Sequence, residues 1–425
     1  MNNNQRKRIA TTLTCAILAS SGNLAFGATI TDWNLGNVDP DVGPDSDGTY
    51  VSVIYDRSLP DSGAQTNGQI AYTPPEGASP GLKVVNNAQP SDPPTPNDVN
   101  NCIMAAGSAS CNSEFQSGKR FKLNRTAFDP IDLVFTVDPT SDTDAYKVFE
   151  KYGNATGQAI ESFTVELGYG IGAEFVASTE GDGLGFVDFG SDPRNNQFSA
   201  LFAAGLFGPT DPPRHPLPGY FDNDERAGFG LELLSEDQFQ STGLFGSYEH
   251  LFGDWMAFSM APEGFFYDHD GDPSTDALLM AHYDEDSGKW IQNRDIDSNG
   301  DVVVLADAND GILHDDLDSL RANLTSDIPL LSCDDPGYVS GDPCLDGVDA
   351  IEDLAKFNLT YFLDAAGLND SNSLLNTAYS DIPTFTLRIT AIESVPEPAI
   401  WSLLSAGLLG MTLSRRRARI KTHFA

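Results

Sequence analysis

The chain has 425 residues, with 24 lysines and arginines against 62 aspartates and glutamates, and a formal net charge of −38. A surface this acidic repels phosphate backbones and anionic headgroups, which argues against nucleic-acid binding. Disorder does not explain the acidity, because 40% of the residues are hydrophobic and 10% aromatic, enough to bury a core.

The N-terminus opens with Arg6, Lys7 and Arg8, followed by an uncharged stretch with Leu13, Ala16, Ile17, Leu18 and Ala19 at its centre. It ends in the small residues around Leu24-Ala25-Phe26-Gly27-Ala28. A basic start, a short apolar run and a small-residue exit make residues 1–27 a Sec-type signal peptide. The run is shorter than the roughly 20 residues that span a bilayer. Cys15 does not mark a lipoprotein, because Thr14 before it is a poor fit to the small residue required there. Both ends are basic, so the body between them is more acidic still. Such a body attracts divalent cations wherever carboxylates converge, and it equally suits general adaptation to salt or export.

Residues 28–394 read as one extracellular β-rich domain. Short alternating segments recur: Phe163-Val165-Leu167, Gly185 to Phe189, Phe198 to Phe202, Phe229-Leu231-Leu233, Leu278 to Tyr283, Val302 to Leu305, Phe357-Leu359-Tyr361 and Thr384 to Ile392. Gly, Pro, Asp or Asn bound most of them, the pattern of an antiparallel β-sandwich or jelly roll. The stretch from Thr73 to Asn101, crowded with Pro, Asn, Gly and Ser, predicts a long surface loop. The residues before it hold too few strand signals for a separate domain. Three short helices are expected: over Ala145 to Tyr152, over Ile312 to Leu320 capped by Asp310, and from Asp346 or Gly347 through Phe357.

Apart from Cys15, the cysteines form two close pairs, Cys102 with Cys111 and Cys333 with Cys344. In an exported protein this predicts two local disulfides. A zinc site is the competing reading, but neither pair has zinc-knuckle spacing and no histidine lies near.

The C-terminus reads Val395-Pro396-Glu397-Pro398, then a chargeless apolar stretch over residues 399–413, then Arg415, Arg416, Arg417, Arg419 and Lys421. As a helix the apolar stretch spans about 22 Å. The positive-inside rule keeps the arginines cytoplasmic and puts the body across the inner membrane. The two prolines leave an extended, accessible segment beside the bilayer. This order of three parts resembles the PEP-CTERM sorting signal of Gram-negative bacteria, over residues 395–425 alone. The resemblance implies recognition by an exosortase, processing near the Pro-Glu-Pro, a transient inner-membrane stage, and release to the cell surface or matrix beside exopolysaccharide or biofilm. It implies nothing about the chemistry of the body.

Candidate chemistry concentrates between Tyr267 and Asp318. Asp295, Asp297, Asn299 and Asp301, with Gly300 for the turn, match the first half of a calcium loop: oxygen donors at alternate positions. Position twelve is Ala306, Asp307 lies one step beyond, and Val302-Val303-Val304-Leu305 reads as a strand, so an EF-hand is excluded. Two readings stay open, a calcium-bound hairpin loop and a plain polar turn. The segment Gly264 to Ala277, with Phe265-Phe266-Tyr267-Asp268-His269-Asp270-Gly271-Asp272 inside it, resembles surface proteins of the choice-of-anchor F type, which carry interchangeable anchors.

The histidines form no His-Glu-x-x-His, and no phosphate-cradling Gly-x-x-x-x-Gly-Lys occurs. Gly181-Asp182-Gly183-Leu184-Gly185 lacks dinucleotide spacing and a following helix. His269 and His282 stand near aspartates, either as metal ligands or as solvated side chains. Phe252, Trp255, Phe258, Phe265, Phe266, Tyr267, Tyr283 and Trp290 either stack on sugar rings or fill a core. No catalytic residue is expected. The expectation is a non-enzymatic exported surface or matrix protein. A calcium-assisted carbohydrate-binding protein is the alternative, and a glycan hydrolase with an unrecognised carboxylate pair the third reading.

Overall fold

The computed structural model describes residues 28–113, 117–140, 144–187, 228–245, 249–271, 277–305, 311–351, 354–365, 367–368, 375 and 382–393. The expected signal peptide, the end of the segment Gly185 to Phe189, the segment Phe198 to Phe202, Asp307, Asp310 and the whole tail lie outside these residues. The described chain is mainly β, built from antiparallel sheets.

In chain order the strands are β1 (Thr29–Trp33), β2 (Val38–Val42), β3 (Tyr50–Tyr55), β4 (Thr66–Tyr72), β5 (Leu82–Val85), β6 (Asn101–Ala105), β7 (Phe121–Arg125), β8 (Ile131–Asp138), β9 (Tyr146–Asn154), β10 (Ile160–Tyr169), β11 (Val176–Ala177) and β12 (Gly185–Phe186). There follow β13 (Gly228–Ser235), β14 (Gln238–Phe245), helix α1 (Glu249–Phe252), β15 (Glu263–Asp268), β16 (Leu278–Asp284), β17 (Lys289–Gln292), β18 (Arg294–Ile296), β19 (Val302–Val304) and β20 (Ile312–His314). Helix α2 (Leu317–Leu324), β21 (Cys344–Ala350), β22 (Lys356–Asp364) and β23 (Thr384–Glu393) complete the chain.

A seven-stranded sheet runs β1-β8-β23-β10-β14-β13, with β11 also on β10. A nine-stranded sheet runs β12-β22-β9-β7-β4-β3-β2, and β6, carrying β5, also joins β9. Their facing sides share one apolar core, to which Phe135, Phe163, Leu167, Phe385 and Leu387 contribute from the first sheet and Leu123, Tyr152, Phe357, Leu359 and Tyr361 from the second. Burial of this apolar surface is the main force holding the sheets together.

Strand β9 departs from the expected antiparallel plan. One edge pairs antiparallel with β22. The other pairs in parallel, first with β6 from Asn101↔Tyr146 to Ile103↔Val148, then with β7 from Phe121↔Glu150 to Arg125↔Asn154. The helix expected over Ala145 to Tyr152 is therefore wrong. The segment is a strand because Tyr146, Val148, Glu150 and Tyr152 alternate toward the core while Lys147, Phe149 and Lys151 take the other face.

Three further corrections have the same physical origin, pairing between distant segments overriding a local signal. Asp346 and Gly347 start no helix: Cys344–Ala350 is strand β21, paired with β15. The loop from Thr73 to Asn101 contains β5, which pairs with β6. The helix expected from Ile312 begins later, because Ile312–His314 pairs with β17. Asp316 caps it instead, accepting from the Ser319 backbone N–H at 2.7 Å in a capping box.

Five of the strands from β15 to β21 form a sheet, β20-β17-β16-β15-β21, with apolar clusters on both sides, while β18 and β19 pair as a separate two-stranded hairpin. Helix α2 packs Leu320 and Leu324 against one of them. Trp255, in the segment before β15, packs into the main core: its ring lies among Tyr152, Phe163 and Phe229, and its backbone exchanges hydrogen bonds with Ile160 at 2.8 and 2.9 Å.

Arg125, Asp132 and Glu150 are charged residues buried within the paired sheets. Arg125 donates to Tyr152 Oη at 2.6 Å, to the carbonyls of Ala127 and Asp129, and across to Ile389 O of the seven-stranded sheet at 2.5 Å. Asp132 and Arg388, register partners on β8 and β23, form a two-pronged ion pair at 2.7 Å per contact. Glu150 points into the core. The Tyr361 hydroxyl donates to its Oε2 at 3.1 Å, and its Oε1 has no hydrogen-bond partner among the described residues. Burial pushes its carboxyl up to about 8.

A raised carboxyl favours the fold when neutral. That stability is full below the ordinary value of 4.5 and is lost as pH rises through the folded value of about 8. Glu150→Gln should therefore leave stability nearly unchanged at pH 5 and raise it at pH 9 by at least about 1.4 kcal/mol, a tenfold shift in the folding equilibrium. Urea unfolding of parent and variant at both pH values checks this; an equal difference at the two would contradict it.

A cationic pocket on the outer face of the nine-stranded sheet

The outer face of this sheet presents a row of register neighbours, Ala71 on β4, Lys122 on β7, Lys151 on β9 and Asn358 on β22. The segment carrying Lys119 and Arg120 and the loop after β6 close over this row. They enclose a pocket of about 490 Å3. Lys119, Arg120, Lys122 and Lys151 line it, and Glu76 is the single acidic residue among the described lining residues. In a chain of charge −38 this is a local inversion of sign.

The walls are tied down. Cys102 and Cys111 are disulfide-bonded, their Cα atoms 6.0 Å apart, and the bond packs with Val99, Met104, Phe149 and Phe362. Asn112, next to it, donates to the carbonyls of Gln89 and Val99 at 2.8 and 2.9 Å and accepts from Val99 N at 2.9 Å. Ser108 Oγ donates to Gly118 O, and Lys83 Nζ donates to Ser108 O. On the opposite wall Tyr72 donates its hydroxyl to Asp41, and burial together with that bond pushes the phenol up to about 12. The second expected disulfide, Cys333 with Cys344, is also formed. It lies in the five-stranded sheet's unit, where β21 begins.

Lys119 and Arg120 are each only 3% exposed, whereas Lys122 is open to solvent. Burial pulls the Lys119 ammonium down to about 8, with repulsion from Lys147 and Arg120 adding to the shift and Asp98 opposing it. Its Nζ lies 5.5 Å from the centre of the Phe149 ring. Like charges on adjacent strands destabilise a sheet, and the Lys122 and Lys151 pairing has that arrangement.

The pocket holds none of the candidate calcium ligands. Asp295 lies within β18, paired with Val303, and Asp297 opens the turn between β18 and β19. Asp295 Oδ1 accepts from the Ile296 N–H. Asp297 Oδ1 accepts from the N–H groups of Asn299 and Asp301 at 2.8 and 3.0 Å, and Asp297 Oδ2 accepts from the Asn299 amide at 3.3 Å. Those backbone bonds hold its carboxyl below the usual range. This is the geometry of an Asx turn closing a hairpin. Among the described residues no three His, Cys, Asp or Glu side chains gather as a group able to hold a metal.

The histidines and aromatics mostly serve packing. His282 is buried, with Nδ1 3.1 Å from Asn293 Oδ1 and its ring against Phe252. His269 is near the surface, 3.5 Å from Asp270. Trp255, Phe265, Phe266 and Tyr267 are fully buried, so they offer no platform for a sugar ring. Phe258 is 37% exposed but lies under the Lys356 ammonium. In the glycine-rich turn, a Cβ on Gly183 would meet Gly367 C at 1.9 Å, so close backbone contact accounts for that glycine.

Sequence reasoning misses two features. Gly77-Ala78-Ser79-Pro80-Gly81 has the letters of a nucleophile elbow, but it lies in the turn between β4 and β5 and not between a strand and a helix. The basic residues of the pocket were also passed over. Their signal is the density of Lys119, Arg120, Lys122, Arg125, Lys147 and Lys151 in so acidic a chain. Compared with protein-family models, with curated proteins and with solved structures, the chain matches none of them.

For the aspartate turn, Asp297→Ala should lower the melting temperature modestly, and Asp297→Asn, which keeps an acceptor oxygen, should recover most of the loss. The same ranking is expected in calcium and in chelator; a loss seen only in calcium would contradict a purely hydrogen-bonded turn.

Proposed function

We propose that the protein is an exported, non-enzymatic surface or matrix protein whose C-terminal tail is processed by an exosortase-type enzyme. The observation that carries this reading is the closure of both cysteine pairs, Cys102–Cys111 and Cys333–Cys344. Disulfides of this kind belong to oxidising compartments. The chain order supports the same reading: a Sec-type leader, an acidic body, then Val395-Pro396-Glu397-Pro398, an apolar stretch and arginines. The last described strand, β23, ends at Glu393, beside that signal. In this reading the two large sheets are the faces of a jelly-roll-like sandwich, and the body works outside the cell beside exopolysaccharide.

The test is intact-mass analysis and fractionation of the protein from its own cells. The expected product lacks residues 1–27 and the basic tail, has no free thiol in the body, and lies at the surface or outside. Replacing Pro396-Glu397-Pro398 with alanines should leave the protein at full tail length in the inner membrane. An unprocessed chain in the cytosol with free thiols would overturn the proposal.

A further inference from the structure

We propose that Asn299, at the tip of the hairpin made by β18 and β19, is a site of self-catalysed deamidation, in which the Gly300 backbone nitrogen displaces the side-chain amide. This rests on the hairpin and stands apart from how the protein is exported. The Gly300 nitrogen attacks Asn299 Cγ, the new C–N bond closes a cyclic imide, and the Cγ–Nδ2 bond breaks. The departing amide takes up the proton lost from Gly300 N and leaves as ammonia. Water then opens either imide carbonyl, giving aspartate or, with the chain rerouted through the side chain, isoaspartate.

The chain has two Asn-Gly pairs, Asn67-Gly68 and Asn299-Gly300. Their sequences offer the same chemistry, since a glycine has no Cβ to hinder attack by its nitrogen. The structure separates them. Asn67 is 4% exposed in β4, and its amide donates to Pro130 O at 2.9 Å. Its carbonyl accepts from Thr126 N at 3.0 Å, and Gly68 is paired with Ile54 on one side and Arg125 on the other. Attack there requires the nine-stranded sheet to come apart. Asn299 is exposed. Among the described residues β18 and β19 pair with each other alone, and a two-stranded hairpin is marginally stable by itself. Ile296 anchors its base in an apolar cluster, while Val303 and Val304 are exposed. The tip is therefore suited to local opening.

The turn itself holds the reaction back. Gly300 N donates to Asp297 O at 2.9 Å, and Asp297 Oδ1 accepts from Asn299 N at 2.8 Å. The Asn299 amide is held more loosely, 3.3 Å from Asp297 Oδ2. Deamidation removes that donor and sets a new carboxylate beside Asp297, so the modified turn is weaker than the original.

Peptide mapping by mass spectrometry, after incubating the full, oxidised chain in mildly alkaline buffer, tests this. Asn299 should convert to a mixture of aspartate and isoaspartate at least about tenfold faster than Asn67, because local opening is cheaper than global unfolding. In urea, where both pairs are unfolded, the two rates should converge. Asp297→Ala should speed conversion of Asn299 by about fivefold, the factor an ordinary hydrogen bond contributes to the turn. Gly300→Ala should slow it, although a Cβ at a φ of +92° loosens the turn. Three results would overturn the proposal: Asn299 intact after long incubation, Asn67 converting as fast in the folded protein, or aspartate forming without isoaspartate. An unchanged rate in Asp297→Ala would remove the turn's control from it.

Discussion

Strand β9 has neither a free edge nor a free face, and the two surfaces it covers differ in kind. Its inner side chains, Tyr146, Val148, Glu150 and Tyr152, enter the core shared by the two large sheets. Its outer side chains, Lys147, Phe149 and Lys151, meet the cationic pocket and the apolar cluster around the first disulfide. Antiparallel β22 takes one edge, and β6 and β7 share the other in parallel. A one-residue slip would turn the lysines into the core and the tyrosines outward, so burial on the inner face also fixes the pocket.

The scarce cations of this acidic chain are placed with similar economy. Arg125 crosses from the nine-stranded to the seven-stranded sheet, and its partners among the described residues are a tyrosine hydroxyl and backbone carbonyls. Arg388 pairs with Asp132, donates to Gly172 O at 2.8 Å, and lies 3.8 Å from the centre of the Phe175 ring, fastening the turn after β10 over the outer face of its sheet. Hydrogen-bond acceptors surround the buried Arg125 guanidinium, and a carboxylate neutralises Arg388. The pocket gathers Lys119, Arg120, Lys122 and Lys151, with Glu76 the one acid among its described lining residues.

Strands with plain alternation, such as Phe163-Val165-Leu167 in β10, Phe357-Leu359-Tyr361 in β22 and Phe385-Leu387-Ile389 in β23, were legible because one side chain in two faces the core. The two disulfides were legible from close spacing read together with the signs of export. Strand β9 was not, since a glutamate occupies a core position and a phenylalanine an outer one, which blurs the period. Strand β21 was read as a helix because nothing local in Cys344–Ala350 signals its partner β15. The pocket was invisible for a related reason. Lys122 and Lys151 are far apart in sequence and meet only through a parallel register that no local pattern encodes. The aspartate-rich turn drew attention because its ligand-like spacing is local, and the same spacing serves a hydrogen-bonded hairpin.

If β9 is the strand on which both the core and the pocket depend, its amides should be among the last to open. Native-state hydrogen exchange resolved along Tyr146–Asn154 measures this directly. The bonded amides of β9 should exchange only with global unfolding, sharing the free energy and denaturant dependence of β10 and β23. Exchange of β9 through a cheaper local opening, while β10 and β23 stay protected, would contradict the account.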